Sequence, residues 1–351
     1  MLRKPLLIMG LLLLCAAGLL YFLVAGTHSP NDAKNGFTRL GLNNRKAIYR
    51  RELAFGETVY KIAGATPTRF FFTGKDPRTL LSADMELNRL PALTIPFPLT
   101  DEVLVAYDLK LDSPFVYLYA NNLSTIYAAR LNDTTVHPTR LPTRLFTALV
   151  PLSRHSIVVR AFDSAGSRQV FKKIIPGAPK PLRETPILEN RNDAGFSADG
   201  MLRYDSTTHR LLYLQFYQNR FFCMDTNLNL LYKGNTIDTS GTNPISVRTF
   251  ANSRNSGSLM PTVPLHIINH ACVTDGRNMY VLSTLRADNE SRSDFEKNAV
   301  VDVYALSNGA YRRSFYISDL HNEKAQNLFI AHGLLLVSYI HYIGAFDIPA
   351  N

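Results

Sequence analysis

From residue 272 onward the apolar positions come in short runs broken by turn residues. Runs over 272–274, 279–283, 300–306 and 311–317 are separated by Asp275-Gly276, by a polar loop and by Ser307-Asn308-Gly309. Runs over 328–331, 334–339 and 342–348 then begin the same series again. Short strands bounded by Gly, Asn and Asp, grouped in fours and repeated, are the pattern of a β-propeller blade.

The same cut extends upstream with less regularity. A unit over 69–97 has strands at 70–73, 80–85 and 92–97; one over 102–137 has strands at 103–107, 115–120 and 125–131. A third, over 145–175, has strands at 147–152, 156–162 and 169–174, with Asp163-Ser164-Ala165-Gly166 as a hairpin turn. A Pro- and Lys-rich connector follows over 176–186. The most regular unit has strands at 201–204, 211–216, 221–225 and 230–233. The expectation is an all-β propeller of about six four-stranded blades, with five or seven left open by the irregular second and third units. The last unit has only three strands before residue 351, and an extra strand over 58–63 precedes the first. That strand is expected to complete the last blade, because an unclosed ring leaves sheet edges exposed. No stretch beyond residue 44 carries an apolar 3.6 period, so little helix is expected there.

One phrase carries a resemblance. Asp199-Gly200-Met201-Leu202-Arg203-Tyr204-Asp205, a turn, Leu211-Leu212-Tyr213-Leu214 and then Met224-Asp225-Thr226-Asn227 resemble a blade of the six-bladed, TolB-like propellers. In those blades an Asp-Gly pair leads into an apolar strand, a closing Asp and further hydrophobic strands. Asp275-Gly276 before Met279-Tyr280-Val281-Leu282 is a second, partial instance. The resemblance spans about residues 58–348 as a pattern, with local motifs in the fourth and fifth units only. It implies a binding surface on one face or at the central channel. It transfers no activity, since one propeller fold hosts binders, lyases, hydrolases and oxidoreductases.

The N-terminus changes the picture of where this propeller works. Arg3 and Lys4 precede an uninterrupted apolar run from Leu6 to Ala25. Twenty helical residues rise about 30 Å, the thickness of a hydrocarbon core. The run predicts a single-pass signal anchor over 1–26; a cleaved signal stays open, because Val24-Ala25-Gly26 offers small residues to a peptidase. Cys15 does not make a lipoprotein site, because Leu14 stands where a small residue belongs. The positive-inside bias keeps Arg3 and Lys4 cytoplasmic and exports the rest, to the periplasm or the exterior. A polar stretch rich in Asn, Gly and Ser over 27–45 reads as a flexible tether, and the propeller domain as 46–351.

Composition narrows the function without naming it. A hydrophobic share of 46% fits a globular body rather than a polytopic membrane protein, and the absence of Trp argues against Trp-Asp repeats. The net charge of +10 is scattered in short pairs such as Arg50-Arg51, Lys172-Lys173 and Arg312-Arg313. No dense basic run suggests nucleic acid; a basic surface near anionic headgroups is the better reading. Cys223 and Cys272 lie on separate apolar strands and read as two buried thiols, with pairing in an exported domain as the alternative. There is no G-x-S-x-G elbow, P-loop, dinucleotide-binding glycine pattern or Cys-x-x-Cys, and no cofactor is implied. His266 and His270 stand four apart, but a β-branched context after Pro264 reads as strand or loop rather than a helical metal pair. Asp205, Asp225, Asp238 and Asp275 sit at strand ends, where Asp ordinarily bonds its own turn.

Long connections are then the better place to look for function. The segments 239–264 and 286–298 emerge on one propeller face, with 217–220 and 339–341. The candidate ligand-binding residues are therefore Tyr217, Arg220, Arg286, Asp294, Tyr339 and His341. The favoured function is a membrane-tethered binding or scaffold module that presents this face to a protein or small molecule. The alternative is a propeller hydrolase or lyase with its site at the channel mouth.

Overall fold

Strand pairing in the computed structural model resolves the chain into blades. The structure describes residues 9, 12–21, 34–42, 45–59, 61–99, 104, 106–143, 145–166, 168–189, 191, 193, 195–240, 245–251 and 257–350. The chain divides into two units, Met1–Asn35 and Gly36–Asn351. In the first, residues 9 and 12–21 are helical. Among the described residues no helix is long and apolar enough to cross a membrane, and the rest of the apolar run lies outside the described residues.

The second unit begins its strands with β1 (Ile48–Ala54). Blade 1 is β2 (Lys61–Ala65), β3 (Arg69–Thr73), β4 (Thr79–Asp84) and β5 (Arg89–Thr94). Blade 2 is β6 (Asp108–Asp112), β7 (Phe115–Tyr119), β8 (Thr125–Arg130) and β9 (Val136–Arg140). Blade 3 is β10 (Phe146–Ser153), β11 (Ser156–Phe162), β12 (Gln169–Ile174) and β13 (Arg183–Thr185). Blade 4 is β14 (Gly200–Asp205), β15 (Arg210–Gln215), β16 (Arg220–Asp225) and β17 (Leu230–Asn235). A separate hairpin, β18 (Val247–Ala251) and β19 (Gly257–Pro261), stands in the connection to blade 5. Blade 5 is β20 (Asn269–Thr274), β21 (Asn278–Ser283), β22 (Asn298–Ala305) and β23 (Tyr311–Ser318). Blade 6 takes β24 (Asn327–Ala331), β25 (Leu334–Ser338) and β26 (Tyr342–Asp347), with β1 as its fourth strand. The fold is a six-bladed β-propeller.

Burial explains why the middle strands were legible. A strand packed on both faces reads as a continuous apolar run instead of alternating, and β15 is buried from Leu211 through Gln215. Outer strands such as β17 are mostly exposed and carry polar residues. Six apolar clusters fill the six gaps between neighbouring blades. The one between blades 3 and 4 joins Val158 and Phe171 to Leu211 and Tyr213, and the one between blades 6 and 1 joins Leu336 and Ile343 to Phe70 and Phe72. A core in every gap, the last included, is what closes the ring. At Gly64 strands β2 and β6 come so close that a Cβ would lie 2.7 Å from the Leu111 carbonyl oxygen.

Closure is of the expected kind but uses a different strand. The strand expected over 58–63 overlaps β2, the inner strand of blade 1, whereas β1 pairs antiparallel with β26 from Ile48↔Asp347 to Ala54↔Tyr342. Apolar alternation pointed to the wrong strand because β1 lies at an outer edge and is mostly exposed, as its Arg50-Arg51-Glu52 permits. Blades 1 to 3 show the same effect. In blade 1 the inner strand β2 is assigned to closure instead, and the strands missed at the outer edges are β9 and β13, with β13 inside the stretch read as a connector. The strand expected over 103–107 includes residues outside the described set; blade 2 opens instead with β6.

Of the stretch read as tether, residues 36–42 and 45 belong to the second unit and lie along blade 5. Phe37, Arg39 and Leu42 are buried, and the backbone runs along β23: Ser314 N–H donates to Leu40 O, and Ala47 N–H to Tyr316 O. The chain thus covers the outer edge of blade 5 before β1 covers that of blade 6. The loop over 286–298 holds a short helix, Arg292–Lys297, capped by Ser291.

Candidate binding channel

The innermost strands β2, β6, β10, β14, β20 and β24 surround a central channel of about 1390 Å³. Strand alternation decides what enters it. In β6, Leu109 and Leu111 are buried in the core between blades 1 and 2, which turns Asp108, Lys110 and Asp112 the other way. Lys61, Asp108, Lys110, Asp199, Arg203 and His270 are among the charged or ionisable side chains along its upper and middle walls.

Most of these have internal partners. The Lys61 ammonium lies 3.1 Å from Asp108, whose carboxylate also accepts from the Tyr119 hydroxyl at 3.3 Å. Asp199 pairs at 2.7 Å with Arg160, a buried guanidinium that also donates to Thr147 Oγ1 and Gly195 O. Burial pushes the Asp199 carboxyl up, and the Arg160 charge opposes it. Arg203 is held by backbone: its Nε donates to Cys272 O and its Nη1 to Leu202 O, both at 3.0 Å.

Lys110 is different. Among the described residues its ammonium has no hydrogen-bonded partner. Burial, then the nearby Arg203 charge, bring it down to about 8, against the pull of Asp108 and Asp112. Tyr117, its cross-strand neighbour on β7, has a buried hydroxyl that is also without a partner. Two cations near each other, one unpaired, make a place where an anion is stabilised by both. At the lower end of the channel the aspartates are satisfied by turns. Asp205 accepts from the Thr208 and Gly276 N–H groups, and Asp275 from those of Arg277 and Asn278.

The six residues expected to bind ligand all fall in strand-to-strand connections or strand ends of blades 4 to 6, and none lines this channel. Tyr217 is half-buried against Phe216. Arg220 pairs with Glu189. Arg286 is partly exposed at the start of its loop. Asp294 accepts from the Ser291 hydroxyl in the helix cap. Tyr339 is fully buried, and its hydroxyl donates to Ser318 O at 2.7 Å. His341 Nδ1 lies 2.6 Å from Glu323. Asp294, Arg220 and His341 thus have local partners, and Tyr339 belongs to the core between blades 5 and 6.

His270 reaches the channel on β20, whereas His266 is exposed in the preceding connection. Among the described residues no group of three or more His, Cys, Asp or Glu is arranged to hold a metal. Cys223 and Cys272 are free, buried thiols in the core between blades 4 and 5, as favoured. Lys110 was missed because the strand before Phe115 was placed too early. The available signal was Asp108-Leu109-Lys110-Leu111-Asp112, a strict alternation with a lone cation at its centre.

No protein-family model matches the chain, and no curated protein matches it in sequence. Solved structures do match its fold. A streptogramin B lyase structure aligns over 86% of this chain and 98% of its own, at 11% identity and a TM-score of 0.51. A member of the DUF4221 family from Bacteroides vulgatus aligns over 88% and 99%, at 12% identity and a TM-score of 0.51. Identities this low establish a shared propeller fold and nothing about activity.

Proposed function

We propose that this protein is an exported β-propeller, tethered to the inner or cytoplasmic membrane by its N-terminal segment, that binds an anionic small molecule in its central channel. The single observation that carries the binding site is Lys110: an ammonium turned toward the channel, near Arg203, with no hydrogen-bonded partner among the described residues. A partly buried charge left unpaired is costly, and a carboxylate or phosphate between Lys110 and Arg203 would offset that cost. The tether rests on the Arg3-Lys4 flank and the apolar run from Leu6 to Ala25.

Thermal unfolding of the purified full chain against mono-, di- and tricarboxylates, phosphate and sulfate tests the site. At 100 times Kd a ligand specific for the folded state adds about 2.7 kcal/mol. At least one anion is expected to raise Tm in wild type and not in Lys110→Gln. Equal shifts in both proteins would remove the channel from the proposal. Recovery of the wild-type chain in the soluble cytosolic fraction would remove the tether.

A second reading is favoured by the same residue. An amine brought down to about 8 is largely charged at neutral pH yet close enough to its deprotonated form to accept a proton, as a hydrolase or lyase requires. Turnover of a bound anion with a rate that rises through pH 8 would favour the enzyme; binding without turnover favours the module.

A further inference from the structure

The pair Arg312-Arg313 looked in sequence like one more scattered basic patch, and the fold gives it a specific place. Val303 pairs with Arg313, but Tyr304 pairs with Tyr311, so Arg312 is the extra residue of a β-bulge in β23. Successive strand residues normally point to opposite faces; a bulge re-aims one of them. Here both arginines line one groove of about 590 Å³, with Arg210 and Arg277 from the first turns of blades 4 and 5. The groove lies on the face opposite the long loops, at the far end from the Lys61–Asp108 pair.

The donors in this groove are only partly used. Arg210 donates to Leu306 O. Arg313 is 7% exposed and donates to Pro349 O and Ala350 O at 2.7 and 2.8 Å, and its Nε is buried with no partner among the described residues. The exposed guanidiniums of Arg277 and Arg312 make no hydrogen bond with any described residue. Among the described lining residues the only carboxylate is Asp275, which is tied to the Arg277 and Asn278 N–H groups and to the Tyr280 hydroxyl. Burial and the Arg45 charge hold the Arg313 pKa below its ordinary value.

We propose that this groove is a second binding site, for a phosphate group. A carboxylate is saturated by one guanidinium fork, whereas a tetrahedral, doubly charged oxyanion accepts from several forks that approach from different strands. Four guanidiniums from two turns and a bulge, with one turn-bound carboxylate among them, match the second kind of ligand. The phosphate could belong to a soluble phosphorylated molecule or to a lipid headgroup, and the two sources are separable.

Inorganic pyrophosphate titrated into the full chain in neutral detergent, followed by calorimetry, gives the first arm. Phenylglyoxal modification of the same chain in phosphatidylcholine nanodiscs, with and without phosphatidylglycerol, gives the second, with modified arginines mapped by mass spectrometry. Pyrophosphate is expected to bind wild type and to bind R277Q/R312Q at least tenfold more weakly, and the same tenfold ratio is expected when both proteins carry K110Q, which removes any binding at the channel from the comparison. Both substituted arginines are exposed and unbonded, so the variant keeps its fold, and its unfolding curve verifies that. Protection of Arg277 and Arg312 by pyrophosphate assigns a soluble ligand; protection only in phosphatidylglycerol discs assigns the headgroup. Unchanged pyrophosphate affinity in R277Q/R312Q, or protection by neither source, overturns the site.

Discussion

Arg39 and Lys110 are both cations drawn out of bulk water, and the fold treats them in opposite ways. Arg39 is 2% exposed, and all five of its N–H donors are matched. Nε and Nη2 grip the two Asp302 oxygens at 2.8 and 3.1 Å, Nη2 also reaches Ser283 Oγ, and Nη1 reaches Glu290 and Leu285 O. Burial alone would lower its pKa, but Asp302 and then Glu290 outweigh it and hold the guanidinium charged. Lys110 has no such shell and is driven the other way. A cation with a full set of internal acceptors fastens structure to structure. One without them points outward to something the chain does not contain.

The largest effect expected is on the paired side. Arg39→Ala leaves Glu290 and Asp302 buried without their cation, held by the Ala287 N–H and the Ser314 hydroxyl, a loss of about 3–5 kcal/mol for a buried ion pair broken on one side. Urea unfolding of the two proteins measures it. A loss below about 1 kcal/mol would mean that the strap over blade 5 contributes little and that its ion pairs merely accompany the packing of Phe37 and Leu42.

The unpaired side should respond with the opposite sign. Lys110→Met removes a strained charge and gains apolar contact, so Tm at pH 7 is expected to rise by about 1–3 °C while anion binding is lost. The pH dependence follows from the lowered pKa. Between about 8 and 10.5 the unfolded chain holds the Lys110 proton and the folded chain does not. The unfolded state then binds more protons, and wild-type stability gains from this group as pH rises through that window. Below about 8 both states are charged and the penalty is fully present. Lys110→Met should lack that rise, and anion affinity in wild type should fall as pH passes 8. A Lys110→Met protein less stable than wild type would identify Lys110 as an ordinary structural lysine.

The same contrast decides what could be read from the sequence. Blades 4 to 6 were legible because their middle strands are buried on both faces and their turns are rich in Asp, Asn and Gly, as in Asp275-Gly276 and Asn308-Gly309 of blade 5. Strands β1 and β13 were not, because an outer edge strand needs no apolar alternation and looks like a loop. The strap from Gly36 to Leu42 has tether composition; its order comes from Asp302 and Glu290, more than 250 residues away, a pairing that no local pattern encodes. Channel residues fail for a related reason. Lys110 alternates with Leu109 and Leu111 just as a surface lysine would, and only closure of the ring distinguishes an inner wall from an outer one. The long loops drew attention to their face of the propeller, yet Arg220, Asp294 and His341 on it are taken up by local partners.

Lys61 stands between the two cases, paired as Arg39 is but open to solvent as a surface group, and it gives the smallest and sharpest test. Its ion pair with Asp108 has side chains 44% and 27% exposed, so Lys61→Gln should cost less than about 1 kcal/mol of stability. The informative change is indirect. Asp108 raises the Lys110 pKa, and in wild type part of that carboxylate's field is answered by Lys61. Once Lys61 is neutral, Asp108 acts on Lys110 with less competition, and the Lys110 proton is held more tightly. The pH at which anion binding declines should therefore move upward, by a fraction of a unit, even as overall affinity drops slightly through the loss of one positive charge at the mouth. NMR titration of the lysine side-chain carbons reads the shift without any ligand. A downward shift, or none, would mean that Asp108 and Lys110 do not share a field, and the channel would lose its claim to be one coupled site.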